Sequence, residues 1–377
     1  MRTLIVASLA MVLLASRADA QGALSTQGLG YPTGQMSARA EGTGGAVADF
    51  DPLSLVSPAS IAGVGTSALF FQYSPEFRSV TAGSGKASTT TARFPLVSGI
   101  LPMGPDWTVS LSSSTFLDRS SETSLVRRRL VGADSVDETE RSKVLGAIDD
   151  LRLALGWAGS QKFHVGVGAH IFSGSNRITL QQIFPDSSGM FTSTSQAGRI
   201  SYAGFAASIG IEFHPSRVIG IAISGRKGGD LRAEAGDTAI GGARLPDHYS
   251  ASMSFDGITG ATISARVAHD TWSSLNSLAS SSIQGFDAWD YSVGAEATGP
   301  RVMQRIITVR AGARSRTLPF GFNGQKVSET SFMAGLGVPL ARDRAGLDFT
   351  LQRAARSAAG DIKERGIILS FGLRVSP

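Results

Sequence analysis

Five histidines, at 164, 170, 214, 248 and 269, and no cysteine limit the chemistry open to this chain. Without thiols there is no disulfide framework, no thiolate nucleophile and no lipid-anchored cysteine behind a leader. His164 and His170 share the parity of an alternating segment, and Ser173 lies close to His170 in sequence. A serine beside a histidine is the minimum for nucleophilic acyl chemistry, but no nucleophile motif surrounds Ser173, so the chain is expected not to be an enzyme. His269 and Asp270 are neighbours on a strand and point to opposite faces. No carboxylate or histidine cluster has metal-ligand spacing, and neither metal nor cofactor is expected.

Charge is the more informative chemistry. Arg266, Asp270, Asp290, Glu296, Arg310 and Arg314 all take the parity opposite to the apolar residues of their segments. Opposite charges on adjacent strands pair across a ladder. Mutual neutralisation is therefore the first expectation for each. An arginine left over, with Arg314 as the candidate, would hold a substrate carboxylate by charge-assisted hydrogen bonds. Ile368 is an apolar exception on the charged face.

The elements that carry these residues alternate strictly. Leu151, Leu153, Leu155 and Trp157 interleave with Arg152, Ala154 and Gly156; Gly159-Ser160-Gln161 turns the chain, and Phe163, Val165, Val167, Ala169 and Ile171 return. This is a hairpin with one apolar face. The same pattern recurs through Phe205 to Phe213, Ile219 to Ile223, Tyr249 to Phe255, Ala261 to Val267, Trp289 to Ala295, Ile307 to Ala313, Phe332 to Val338, Leu347 to Leu351 and Ile367 to Leu373. Before residue 150, strands are read near 66–82, 86–100 and 106–118, followed by a longer one ending at Ala158. A charged loop is expected near 119–140. Connections near 159–161, 214–217, 256–260, 299–304 and 341–345 are short, whereas those near 174–197, 226–245, 273–286 and 316–327 are long and polar. Such alternation is the pattern of an outer-membrane barrel, with short periplasmic turns and long outer loops.

Composition agrees. The chain is 42% hydrophobic and 17% charged with a mean hydropathy of +0.07, and past the leader it has no run of about eighteen apolar residues that would make a spanning helix. Arg2, the apolar run Leu4 to Ala15 and the small-residue site Ala18-Asp19-Ala20 read as a signal peptide, residues 1–20, cleaved before Gln21. The formal net charge of +5 would fall to +4 on cleavage. That mild excess, with no basic stripe interleaved with aromatics, excludes nucleic-acid binding. The fold class expected is all-β: a transmembrane antiparallel barrel of about fourteen strands over residues 66–377, both ends periplasmic, with its sheet closed so that no edge meets lipid. Arg353, Lys363 and Arg365 interrupt the apolar face near the outer ends of the last two strands. They are positioned to meet lipopolysaccharide phosphates or to snorkel to the rim.

Residues 21–65 do not alternate. They contain Gly44-Gly45-Ala46, the acidic Asp49 and Ser57-Pro58-Ala59, and in this they resemble the FadL/TodX family of outer-membrane transporters for long-chain fatty acids and aromatic hydrocarbons. There a Gly-Gly-Ala segment, an acidic residue and an Asn-Pro-Ala motif form an N-terminal hatch inside a fourteen-stranded barrel; PorV-type barrels of type IX secretion are similar. Ser57 replaces the asparagine, and can cap the turn in its place. Leu373-Arg374-Val375-Ser376-Pro377 lacks the terminal aromatic many such barrels carry. The resemblance implies passive uptake of a hydrophobic small molecule by a monomeric barrel. The alternatives are a PorV-like scaffold that binds exported proteins and a structural barrel with a closed hatch.

Overall fold

The computed structural model describes residues 18–20, 24–25, 28–82, 85–131, 134–185, 192–278, 284–302, 305–321, 324–341, 344–358 and 362–376. The basic start and apolar run of the expected leader lie outside the described residues. Its end, β1 (Ala18–Ala20), pairs with β7. The remaining strands are β2 (Ala68–Tyr73), β3 (Glu76–Ala82), β4 (Gly85–Thr91), β5 (Leu96–Pro102), β6 (Trp107–Asp118), β7 (Ser121–Val131), β8 (Asp134–Ser160), β9 (Phe163–Ile183), β10 (Thr194–Phe213), β11 (Ile219–Ala235), β12 (Thr238–Arg244), β13 (His248–Ile258), β14 (Ala261–Asp270), β15 (Ala288–Val302), β16 (Arg305–Thr317), β17 (Ser328–Leu340), β18 (Ala345–Ser357) and β19 (Ile362–Val375).

β2 and β3 lie end to end along β19, β4 and β5 along β3 and β2, β6 and β7 along β8, and β12 and β13 along β11. Each such pair is one barrel strand with an internal break, so the sheet is a closed antiparallel barrel of fourteen strands. Alternation builds it inside out. Leu153, Val167, Ile209, Ile223, Met253 and Val293 are all at least half exposed, while Arg152, Ser208, Ser224, Ser252 and Ser292 between them are buried. Period-two apolarity thus faces outward, and the polar positions line an interior that something else must fill.

Two features differ from the sequence expectation. The segments near 119–140, 174–197 and 226–245 are largely strand, not loop: β7 and β8 pair without interruption to Val131–Asp134, β9 runs to Ile183, and β11 and β12 meet across Gly236. β8 is 27 residues long, where about 9–11 cross a bilayer. Past the membrane Arg232 and Glu234 of β11 face outward while Leu231 and Ala233 pack inward, so the outward-apolar alternation ends although the ladder continues.

The second difference is a seam. β5 pairs with β6 from Leu96↔Ser114 to Pro102↔Thr108, but among the described residues no ladder joins β4 to β7. Pro75 and Pro95 fall in the breaks of the first two strands, where a missing N–H ends the ladder. Their carbonyls still accept, from Leu369 N at 3.0 Å and Thr115 N at 3.0 Å. Tyr31 bridges to Asp118 at the same height, at 2.8 and 2.9 Å.

Candidate functional site

The interior is filled by the N-terminal segment. A short helix α1 (Ala38–Gly42) is capped by Ser37, and a 3-10 turn (Pro58–Ile61) is capped by Ser57, whose Oγ accepts from Ala59 N at 3.3 Å. Gly44 and Gly45 hold φ of +73° and +91°, a region that favours glycine. A Cβ on Gly44 would stand 2.8 Å from the Ala313 carbonyl oxygen, so only glycine lets this backbone touch the wall. The wall yields likewise: a Cβ on Gly166 would stand 2.1 Å from the Pro58 carbonyl oxygen. Ala46, Pro58 and Ala59 are buried in this contact.

Three ionic layers pin the segment. In the first, the Tyr31 ring lies 4.7 to 5.6 Å from the guanidinium carbons of Arg78, Arg93, Arg316 and Arg356, an arrangement in which the ring face attracts cations. Arg356 is fully buried and reaches Glu329 and Glu364 at 2.6 Å each and Glu76 at 2.8 Å. Glu364 in turn accepts from Leu24 N at 2.9 Å. Burial pushes the Tyr31 phenol up.

In the second layer, Asp49 accepts from Ser224 at 2.8 Å, Ser250 at 2.7 Å, Ser252, and Arg266 Nε at 2.9 Å. Burial alone would raise its carboxyl, but Arg266 and the three hydroxyls hold it below the ordinary range. The third layer joins Arg39 to Glu296 at 3.0 Å, and Arg310 to Glu296 and to Asp348 at 2.6 Å each. Arg314 Nε donates to both Asp290 oxygens, at 2.9 and 3.0 Å. The inward charges read from sequence therefore lie together and neutralise one another, and Arg314 is not left over for a carboxylate.

Above the segment lies a cavity of about 80 Å³ with apolar walls from Met36, Val56, Phe116, Trp272, Ala288 and Pro319. Arg226 and Arg266 also line it, and in each a buried N–H lacks a partner: Nε of Arg226 and Nη1 of Arg266. Arg226 stacks on Phe116 at 5.0 Å. Neither Phe116 nor Trp272, 5.2 Å apart ring to ring, was singled out by sequence reasoning. Phe116 lies at the irregularity of β6 between Thr115 and Leu117, where its alternation ends. Ile368 is buried and lines a smaller cavity beside Glu41, Met333 and Gln352.

At the seam a wall cavity of about 390 Å³ is lined by Arg93, Phe94, Val97, Ser113, Thr115 and Asp149, among others. Arg93 spans it from within, reaching Glu76 at 2.6 Å and also Asp118. Asp149 and Thr115, hydrogen-bonded at 3.0 Å, place polar groups on the otherwise apolar outer parity. Elsewhere, Arg353, Lys363 and Arg365 are exposed on β18 and β19 toward their outer hairpin. His269 stacks outward on Trp289 at 4.6 Å, and Asp270 faces inward to His248 at 2.8 Å.

Ser173 pairs with Ala203 and Asp149 on the outer parity, away from His170. The serine that His170 meets is instead Ser208 on β10, 2.8 Å from Nε2, while Nδ1 meets Asp150 on β8 at 2.9 Å. Parity alone puts all three inside. What brings them together is cross-strand register, which the sequence does not display. Among the described residues no group of three or more histidines and carboxylates has a metal-holding arrangement.

No protein-family model matches the sequence, and no curated protein does. Solved structures do. A Pseudomonas aeruginosa FadL homologue superposes with a TM-score of 0.64 at 12% identity, over 92% of this chain and 99% of that one. The Ralstonia pickettii toluene transporter TbuX gives 0.55 at 13% identity, over 92% and 98%. The monoaromatic hydrocarbon channel CymD gives 0.55 at 13%, over 91% and 97%. Fourteen strands closed around a packed N-terminal segment give this chain the fold of the FadL/TodX-type channels.

Proposed function

We propose that this chain is a passive outer-membrane uptake channel for hydrophobic and amphipathic small molecules. The observation that carries the reading is the stack of an apolar cavity, a packed N-terminal segment beneath it and a wall cavity at the seam where, among the described residues, no ladder joins β4 to β7. A molecule with an aromatic ring or acyl chain enters between Phe116 and Trp272, and an acidic end group takes the free N–H groups of Arg226 and Arg266. Residues 21–65 act as the hatch, with Gly44, Gly45 and Ala46 as its contact with the wall and Asp49 as its lock. When the hatch gives, the cavity opens toward the seam, where polar groups and missing ladder bonds lower the cost of parting the wall. Passage needs no chemical step, cofactor or energy input. The cargo named for TbuX and CymD, toluene and monoaromatic hydrocarbons, belongs to the chemical class this cavity fits.

The same reading has residues 1–20 removed on export and the barrel working as a monomer, with Arg353, Lys363 and Arg365 against lipopolysaccharide phosphates at the outer rim. The test is uptake by liposomes holding the refolded chain. A fluorescent long-chain fatty acid, or toluene, is expected to enter faster than into empty liposomes while a small sugar stays out. Equal rates with and without protein would remove the transport reading.

A further inference from the structure

One arrangement inside the barrel has no part in passage. Ala154, Gly168, Ser208 and Arg226 form one row across β8 to β11, and Arg152, His170 and Ala206 form the next. Asp150 lies one row further on. The three side chains therefore run diagonally across three strands, Asp150 to His170 Nδ1 at 2.9 Å and His170 Nε2 to Ser208 Oγ at 2.8 Å. With the ring proton on Nδ1, donated to Asp150, Nε2 accepts from the serine hydroxyl. That is the order in which a carboxylate orients a histidine and the histidine takes a proton from a serine.

Three further observations separate this chain of bonds from a mere polar filler. Arg152 is buried beside it, and its Nε and Nη1 have no hydrogen-bond partner. A buried cation with unpaired donors is costly unless something anionic arrives. A Cβ on Gly168 would stand 2.5 Å from Ser208 Oγ, 3.5 Å from His170 Nε2 and 3.6 Å from Arg152 Cδ. The absent side chain at Gly168 thus lets Ser208, His170 and Arg152 close on one another. Ser208 also directly faces Arg226, which lines the cavity above the hatch.

We propose that Asp150, His170 and Ser208 form a hydrolytic triad that cleaves esters of hydrophobic acids or alcohols within the barrel, with Arg152 as the oxyanion donor. Ser208 Oγ attacks the ester carbonyl carbon as its proton passes to His170 Nε2, and the carbonyl electron pair moves onto oxygen beside Arg152. Collapse of this intermediate breaks the ester C–O bond, and the leaving alkoxide takes the proton from His170 and departs as the alcohol. Water then repeats the attack on the acyl-serine, releasing the acid and restoring the hydroxyl. Nothing is oxidised or reduced. Gln35 of the N-terminal segment donates to Asp150, so the same segment that fills the lumen also touches the triad's acid.

The test uses the refolded full chain in detergent micelles, with p-nitrophenyl octanoate as substrate and an alkyl fluorophosphonate as label. An adduct mapped to Ser208 is expected. Hydrolysis is expected to fall at least about 100-fold in Ser208→Ala and in His170→Gln, with Ser173→Ala unchanged and folding followed by heat-modifiable migration. Failure to label Ser208 in the folded wild-type chain, or a wild-type rate no higher than that of empty micelles, would overturn the proposal. The labelling result stands alone if a variant does not fold, and a purely structural relay would change thermal stability without giving an adduct.

Discussion

The two faces of the barrel wall obey different rules. Outward, each strand is solved locally: Leu153, Val167, Ile209 and Ile223 need only lipid, and period two is enough to put them there. Inward, no residue is solved alone. Arg356 needs Glu76 from β3, Glu329 from β17 and Glu364 from β19, and Asp49 needs serines from β11 and β13 together with Arg266 from β14. The outer face suits lipid, whereas the inner face holds the N-terminal segment.

The largest effect is expected from the inner face. Replacing Arg356 by Met takes the ion pair from Glu364 and one of several from Glu76 and Glu329, and loss of one partner of a buried pair costs about 3–5 kcal/mol. Thermal unfolding of the refolded barrel in detergent is expected to drop accordingly. From outside, Val167→Arg puts a cation on the lipid face, at about 2–4 kcal/mol near the midplane. Its folded fraction in vesicles should fall while a detergent-held sample stays folded. An equal loss in both media would mean that Val167 does not face lipid.

Smaller effects sharpen the inner rule. Ser57→Ala removes the cap of the 3-10 turn and should cost about 1 kcal/mol, read as increased protease nicking within residues 50–65 rather than as loss of the barrel. Glu41 offers a titration. One of its carboxyl oxygens is buried without a partner, and burial pushes its pKa from 4.5 up to about 7. Below pH 4.5 the carboxyl is protonated whether the hatch is packed or released. Between there and about 7 the released state sheds the proton that the packed state keeps, so packing weakens as pH rises through that window. Ion leak through the barrel should therefore rise from pH 5 to pH 8, and Glu41→Gln should flatten the dependence. An unchanged profile in that variant would assign the titration to another group.

This division also explains what the sequence disclosed. Strand parity, the fourteen-strand barrel and the inward set Arg266, Asp290, Glu296, Arg310 and Arg314 were legible because alternation is a local property. The outer hairpins of β7 to β12 read as loops in the sequence because the outward-apolar alternation stops, as at Arg177, Arg232 and Glu234. Pairing within the inward set was expected from its adjacent strands, but partners from distant segments were not legible. Ser208 stands 38 residues from His170, and only the β9–β10 register makes them neighbours. Ser57 was recognisable as a cap from its place before Pro58, but the serine cage around Asp49 spans two strands and leaves no local trace. Even Pro95, plain in the sequence, acquires meaning only where it meets Thr115 at the seam.

The central claim is that the N-terminal segment closes an otherwise continuous lumen, and single-channel conductance in planar bilayers tests it most directly. The chain with residues 21–60 deleted is expected to insert as a barrel with stable open conductance, while the chain retaining that segment stays closed under the same voltage and salt. Equal conductance of the two would contradict the account.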